Sequence, residues 1–182
     1  VNGSQKLVLA VTDGTNFSSQ PRGKQQIDAS GIYYTPVSGI WQTVWLESVS
    51  SESYLKEVKT ITNIDQNKVT IVPFSNISLV NGYQVVADVF YEGKKIVSGI
   101  TAPNEALYLD LPKAKLWSPD HPHLYHVTLK FINLTGKVID HVYSYFGMRK
   151  ISIGDHKGVK YLFLNNKPLF HYGTLDLSLI HI

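Results

Sequence analysis

Cysteine is absent from all 182 residues of this chain. That absence excludes disulfides, thiolate metal sites and cysteine nucleophiles. The excess of positive charge is small as well, with a formal net charge of +3. Because the lysines are scattered, the sequence shows no basic patch of the kind typical of nucleic-acid-binding proteins. No run approaches the roughly 20 apolar residues that span a bilayer. We therefore expect neither nucleic acid nor a membrane among the partners.

The composition favours strands over helices. Hydrophobic residues make up 43% of the chain and aromatic residues 12%, while charged residues make up only 17%. There are 11 tyrosines, 13 glycines and 8 prolines, which are residues of strands and turns. No apolar repeat of helical period continues for more than two turns. The sequence predicts an all-β protein with a real core.

The central part of the chain has the rhythm of a β-sandwich. From Val58 to Gly147, seven short apolar stretches are separated by turn residues, and Glu92-Gly93 and Thr135-Gly136 predict hairpins. Seven strands in about 90 residues are typical of an immunoglobulin-like antiparallel β-sandwich, and the missing cysteine pair excludes only the antibody type.

Two stretches before this region also predict strands. "QKLVLAV" alternates apolar and polar residues before the turn at Asp13-Gly14. In "SGIWQTVWLE", residues 38–47, aliphatic side chains take one face and Trp41 and Trp45 take the other. Because neither face is polar, the pattern predicts a strand buried between layers, with both indoles packed rather than stacked on sugar. A polar, serine-rich passage predicts a domain boundary near Tyr54.

Four segments, taken in order, resemble glycoside hydrolase family 2, which includes β-galactosidases and β-glucuronidases. They are "TPVSGIWQTVWLE", "LWSPDHPHLY", "YFGMRKISI" and "FLNNKPLFHYGTLD". "QPRGKQ", residues 20–25, is similar to a motif of bacterial members. One such segment is weak evidence, but four with matching order and spacing are specific.

The resemblance implies three parts. Residues 1–54 correspond to the C-terminal part of a galactose-binding-like jelly-roll, the sugar-binding domain. Residues 55–147 correspond to the immunoglobulin-like domain, and residues 148–182 to a linker hairpin around Asn165-Asn166 and the start of a truncated catalytic TIM barrel. The absence of an initiating Met favours a fragment of a longer protein, and the family implies a periplasmic or secreted bacterial enzyme. Leu177–Ile182 departs from the family.

The catalytic residues of a retaining glycosidase are not expected in this chain. Two carboxyl groups about 5 to 5.5 Å apart do the chemistry, and in the family both are glutamates on late barrel strands. The only Asn-Glu dipeptide, Asn104-Glu105, follows Pro103 and precedes a predicted strand, so it indicates a turn. We expect no catalytic residue here, and whether the chain alone is an enzyme stays open.

Neither a metal nor a cofactor is expected. His121, His123 and His126 form a cluster, and histidine is a common zinc ligand. His123 and His126 fall on opposite faces of an extended strand, however, so they are not expected to bind one metal ion together. No phosphate loop, dinucleotide fingerprint or nucleophile elbow is present.

The candidate substrate-binding residues are Tyr33, Tyr34 and Asp176. Many family members carry a carboxylate five positions before Ser-Gly-Ile, where this chain has Tyr33, an aromatic face in place of an anion. Tyr34 and Trp41 are the next candidates. Asp176 ends the segment that resembles the first barrel strand, and the carboxyl ends of barrel strands face the active site.

Three functions are open at this point. The first is the non-catalytic β-sandwich portion of a family 2 glycoside hydrolase, with carbohydrate and its own catalytic barrel as partners. The alternative is a stand-alone carbohydrate-binding module that stacks sugars on Tyr33, Tyr34 and Trp41. An adhesin-like domain explains the sandwich but not the flanking motifs. Unpaired strand edges in residues 1–54 also predict poor order or a homo-oligomer.

Overall fold

A computed structural model describes residues 3–17, 19–78 and 81–173 of the chain. The described residues form two compact units. The amino-terminal unit runs up to Glu47 and includes Tyr172 and Gly173, and the sandwich unit is Ser48–His171. The assignment of residues 1–54, 55–147 and 148–182 to three domains stays a prediction.

Seven of the strands described in the sandwich unit form two antiparallel sheets. The strands are β1 (Leu55–Asn63), β2 (Lys68–Ser75), β3 (Gln84–Tyr91), β4 (Lys94–Thr101), β5 (Leu107–Asp110), β6 (Tyr125–Ile132) and β7 (Val138–Phe146). One sheet has the order β1-β2-β5 and the other β4-β3-β6-β7. The all-β fold and the immunoglobulin-like antiparallel sandwich are confirmed, and the strands lie where the apolar stretches predicted them.

Alternating side chains of the two sheets build one core. Along β6 the residues Tyr125, Val127, Leu129 and Phe131 are buried, while His126 and Lys130 are exposed. Val69 and Ile71 on β2 and Val85 and Val89 on β3 are fully buried in the same cluster. This period of two is what an antiparallel strand with one solvent-facing side requires.

A small third sheet follows the sandwich within the same unit. It has the order β10-β9-β8, from β8 (Ile151–His156), β9 (Val159–Leu164) and β10 (Lys167–Pro168). The turn between β9 and β10 is Asn165-Asn166, with φ of 52° and 64°. Two consecutive residues at positive φ are typical of a two-residue hairpin turn. The predicted hairpin at this position is therefore confirmed, as are those at Glu92-Gly93 and Thr135-Gly136.

The described residues of the amino-terminal unit form no strand. The strands predicted for "QKLVLAV" and for "SGIWQTVWLE" are wrong for this structure: Leu7, Val8 and Leu9 are exposed, as are Trp41 and Trp45. A strand forms only when a neighbouring strand accepts its hydrogen bonds. The described residues provide no such neighbour, so the apolar pattern is present without the pairing.

Within that unit, one carboxylate gathers three separate loops. Asp13 accepts hydrogen bonds from the amide of Thr15 at 2.7 Å, from Gln20 Nε2 at 2.6 Å and from Ser38 Oγ at 3.0 Å. The Thr15 amide, followed by the Ser38 hydroxyl, lowers the pKa of Asp13 below its usual 3.8. Hydrogen bonds to a carboxylate favour the ionised form. A polar hub therefore links the described residues of this unit, which form no sheet.

Among the described residues no helix is long and apolar enough to cross a membrane.

Candidate functional site

The loop that carries Tyr33 and Tyr34 is held by residues 24–26, which are the end of "QPRGKQ" and the glutamine that follows it. The amide of Tyr34 donates to the carbonyl of Lys24 at 2.9 Å, and the Tyr34 carbonyl accepts from the amide of Gln26 at 3.0 Å. Gln25 Oε1 then accepts from the amide of Val37 at 2.7 Å. These bonds align the two segments beside each other, with Gln25 opposite Tyr34. The motif is thus the frame that presents the tyrosine loop.

Aromatic side chains in and after this loop are open to solvent. Tyr33 is 41% exposed, Tyr34 50% and Trp41 88%. Trp45 is exposed too, and its indole N–H donates to Glu47 Oε1 at 2.8 Å. The prediction that these tryptophans are packed is wrong here, because no second layer of described residues covers them. That Tyr33 and Tyr34 contact sugar stays a prediction, and Asp176 lies outside the described residues.

The Asn-Glu dipeptide is part of the sandwich architecture. Asn104 lies between β4 and β5 with φ of 68°, and its Oδ1 accepts from the amide of Ser75 at 2.9 Å. Its Nδ2 donates to the carbonyl of Ile77 at 3.1 Å, and its own amide donates to the carbonyl of Pro73 at 2.7 Å. Every polar group of this side chain thus ties the turn to the end of β2. Glu105 is exposed beside it.

One member of the histidine cluster, the half-buried His123, contacts the aromatic side chains that lead to the core. His121 and His123 are stacked with ring centroids 6.1 Å apart, and Tyr91 Oη lies 2.8 Å from Nδ1 of His123. Tyr91 in turn contacts Tyr125 at 5.0 Å between centroids. His126 is exposed. No group of three or more histidines and carboxylates within the described ranges is arranged to hold a metal ion.

A groove on the sandwich unit combines aromatic rings with a single cation. Its volume is about 590 Å³, and it is lined by Thr60, Thr62, Trp117, Leu124, Tyr145, Phe146, Gly147, Arg149 and Ile151. The Arg149 guanidinium carbon lies 4.8 Å from the centroid of the Trp117 ring. That distance is within the range of a cation–π interaction. We call this feature the Arg149 groove.

The backbone beside the groove is fixed by contacts to both the sandwich and the hairpin. The amide of Trp117 donates to the carbonyl of Met148 at 2.9 Å, and Thr62 Oγ1 donates to the carbonyl of Arg149 at 2.9 Å. The Lys150 amide donates to Asn165 Oδ1 at 3.0 Å. Arg149 is therefore placed by hydrogen bonds on either side of its Cα.

Asp65 completes this attachment from the loop between β1 and β2. Its two carboxylate oxygens accept from Lys150 Nζ at 2.6 Å and from Asn166 Nδ2 at 2.7 Å. The Lys150 ammonium, followed by the Asn166 amide, lowers the pKa of Asp65 below 3.8. Asn165 Nδ2 also donates to the carbonyl of Trp117 at 2.9 Å. We call these contacts the hairpin lock.

Sequence reasoning missed both the groove and the lock. Trp117 and Arg149 occur in two of the quoted family segments, but 32 positions separate them. The parallel bridge between Leu116 and Met148 brings them together. No local pattern signals such a bridge, because it depends on how the chain returns to the sandwich edge after β7.

Comparison with known proteins shows to which family the chain belongs. The model of "Glycosyl hydrolases family 2" matches residues 42–149, which covers the sandwich, Trp117 and Arg149. The chain belongs to glycosyl hydrolase family 2. The match begins within "SGIWQTVWLE", contains "LWSPDHPHLY" and ends at Arg149 within "YFGMRKISI". The segment "FLNNKPLFHYGTLD" lies outside the matched range.

Relatives of this family 2 chain are much longer than the region they share with it. A β-galactosidase of Thermoanaerobacter pseudethanolicus is 24% identical over 174 residues, which are 91% of this chain and 22% of that protein. A β-glucuronidase structure from Ruminococcus gnavus matches with a TM-score of 0.54 and 17% identity, over 67% of this chain and 19% of that one. A Lactobacillus rhamnosus β-glucuronidase structure matches with a TM-score of 0.52 and 19% identity, over 65% of this chain and 19% of that one. The chain spans about a fifth of their length.

Proposed function

We propose that this chain is the non-catalytic platform of an enzyme that hydrolyses O-glycosidic bonds, with a catalytic barrel mounted on it. The observation that carries the proposal is the family 2 match over residues 42–149, which coincides with a complete seven-strand sandwich. The chain is the β-sandwich portion of a family 2 glycoside hydrolase; the hydrolysis itself is assigned to the longer enzyme.

The carboxylates of the chain support a structural role. Glu52 accepts from Asn133 Nδ2 at 3.1 and 3.2 Å, and Glu47 from the Trp45 indole. Glu92 occupies the β3–β4 turn and Glu105 the turn before β5. Asp13 and Asp65 are engaged in the loop hub and the hairpin lock. Hydrolysis with retention needs an ionised carboxylate and a protonated one flanking a bond in a cleft, and these groups serve turns and domain edges instead.

Turnover of chromogenic substrates tests the proposal. The purified chain should release no nitrophenol above the blank from p-nitrophenyl β-D-galactoside or β-D-glucuronide. The complete open reading frame that contains this chain should hydrolyse at least one of them. Turnover that co-elutes with the short chain through two chromatographic steps contradicts a non-catalytic platform, and a complete protein inactive on a broad panel of glycosides contradicts the glycosidase assignment.

A carbohydrate-binding module remains the second candidate, favoured by the exposed rings of Tyr33, Tyr34 and Trp41. Aromatic side chains offer flat apolar faces, and the frame built from residues 20–25 holds the loop in place. In this reading the amino-terminal unit binds saccharide without help from a barrel.

Tryptophan fluorescence distinguishes this candidate. A stacking platform predicts a saturable blue shift or quench when oligosaccharides are titrated to millimolar concentration, and the signal should disappear in Trp41→Ala. The matched control is Trp117→Phe, which alters an indole in the other unit. The titration uses the monomer fraction from gel filtration, because a homo-oligomer formed through unpaired strand edges in residues 1–54 is a further prediction of the sequence. An unchanged spectrum excludes the module.

A further inference from the structure

The Arg149 groove lies where the chain leaves the sandwich. Tyr145 and Phe146 end β7, Arg149 follows, and Ile151 begins β8. Thr60 and Thr62 on β1 also line the groove. The groove is therefore built around the exit segment itself, and the hairpin lock holds Lys150 and the Trp117 carbonyl next to it.

The charge in this groove is uncompensated. Its lining contains Arg149 and no carboxylate, and within the described residues the guanidinium forms no ion pair. The neighbouring Lys150 is neutralised by Asp65 at 2.6 Å. Stacking on Trp117 leaves the edge of the guanidinium fork free to donate. A planar fork of this kind binds a carboxylate through two parallel hydrogen bonds.

The groove also has the composition of a protein interface. Tyr145 and Ile151 are exposed, and Leu124 is exposed at its rim. Interfaces are enriched in Trp, Tyr and Arg near their centre, and these residue types carry most of the binding free energy when water is excluded. A groove that combines aromatic rings, two threonine hydroxyls and one arginine therefore fits a partner surface that carries one acidic side chain.

We propose that the Arg149 groove docks the domain that follows this chain in the longer enzyme, through a carboxylate on that domain that pairs with Arg149. The inference rests on the proposed function and names the surface by which the platform holds the barrel. A following domain is tethered to the exit segment, so its effective concentration at the groove is high, on the order of millimolar for a short linker. About four-fifths of the relative's length lies outside the shared region, which is enough chain for a further domain.

Side-chain footprinting tests this docking. Hydroxyl-radical oxidation of Tyr145 and Trp117 is compared between the short chain and the complete polypeptide. Docking predicts a several-fold slower oxidation of both rings in the complete polypeptide, because the partner covers them. Arg149→Gln should restore fast oxidation of Tyr145 there, while Arg149→Lys, which keeps the charge, should restore it only in part. The matched control is Lys137→Gln, a cation in the β6–β7 turn, which should leave the protection unchanged.

The outcomes separate the two proposals. If the complete polypeptide hydrolyses a glycoside while Tyr145 is oxidised as fast as in the short chain, docking is wrong and the proposed function stands. If it hydrolyses none, the proposed function fails, and protection of Tyr145 still supports a docked following domain. Saturable protection of Trp117 in the short chain by D-glucuronate, lost in Arg149→Gln and absent with D-glucose, overturns docking in favour of an acidic-saccharide site. Urea unfolding of each variant confirms that its sandwich is folded.

Discussion

The two units of this chain use similar apolar sequence in opposite ways. In the sandwich unit Leu129 on β6 is 0% exposed, whereas Leu46 in the amino-terminal unit is 92% exposed. Both leucines belong to stretches rich in aliphatic and aromatic residues, and both stretches predict strands. The difference is pairing: β6 lies between β3 and β7, while the described residues offer the "SGIWQTVWLE" stretch no neighbour.

A strand is thus a property of a pair of segments rather than of one. An apolar side chain contributes about 25 cal/mol for each Å² removed from water, and this contribution vanishes when no second layer covers it. The amino-terminal unit is held instead by hydrogen bonds to Asp13 and between residues 24–26 and Tyr34. Net contributions of such bonds are small, about 1 kcal/mol each. The sandwich should therefore dominate the measured stability.

The same substitution in the two units gives the largest contrast. Leu129→Ala removes a fully buried side chain and should lower the free energy of unfolding by about 2 to 5 kcal/mol, from lost burial and the cavity left behind. Leu46→Ala should change it by less than about 0.5 kcal/mol. Urea denaturation followed by circular dichroism measures both. A loss of 2 kcal/mol or more in Leu46→Ala would mean that the stretch is packed in solution, and the contrast between the units would collapse.

A smaller effect on the free energy of unfolding is expected from the hydrogen bond between Tyr125 and Lys115. Tyr125 is buried at the start of β6, and its hydroxyl oxygen accepts from the amide of Lys115 at 2.7 Å. This arrangement is similar to the tyrosine corner of immunoglobulin-like sandwiches, and burial raises the pKa of the Tyr125 hydroxyl.

Tyr125→Phe should lower the free energy of unfolding by about 1 kcal/mol, because the Lys115 amide loses its acceptor while the ring still packs. Tyr108→Phe is the matched control, since Tyr108 on β5 is exposed and its change should fall within about 0.5 kcal/mol. Equal midpoints for Tyr125→Phe and the wild type in urea would show that solvent replaces the bond at no cost.

The sandwich was predictable from the sequence because its information is local. The alternation of apolar and polar residues along Tyr125–Phe131 predicts which side of the strand is buried. Dipeptides such as Glu92-Gly93 and Asn165-Asn166 predict where the hairpins turn. The seven strands lie where these patterns put them. The prediction of amino-terminal strands was wrong because an apolar pattern indicates only that a segment can pair. Whether it does pair depends on other segments of the chain.

The candidate sites were predictable only in part. The loop at Tyr33 and Tyr34 was found through the family motif that follows it, and the structure adds how residues 24–26 hold that loop. The Arg149 groove was not found, because Trp117 and Arg149 are brought together by the bridge between Leu116 and Met148, which forms after the edge strand β7 ends. Asp65, a loop residue between two strands, carries no motif. Its role depends on the contact between the β1–β2 loop and the hairpin, which the sequence does not indicate.

The smallest expected effect concerns the hairpin lock, the counterpart in the sandwich unit of the Asp13 hub. The pKa of Asp65 in the folded chain lies below its usual 3.8, first through the Lys150 ammonium and then through the Asn166 amide. A carboxyl with a lowered folded pKa stabilises the fold at pH values above its unfolded pKa, and this contribution is lost as the pH falls through the folded value. The lock should therefore hold from neutral pH down to about 3.8 and open below that.

Nuclear magnetic resonance of the Asn166 side-chain amide follows this titration directly. Its shift should change with a midpoint below 3.8, and amide exchange in β8–β10 should quicken over the same range. Asp65→Asn should bring the faster exchange to pH 7, whereas Asp110→Asn, which removes an exposed carboxylate 3.7 Å from Lys68, should leave the hairpin unchanged. A midpoint at or above 3.8, or equal loosening by both variants, would mean that the backbone bonds at Asn165 hold the hairpin alone. A polar hub would then matter in only one of the two units, the amino-terminal one, whose described residues form no sheet.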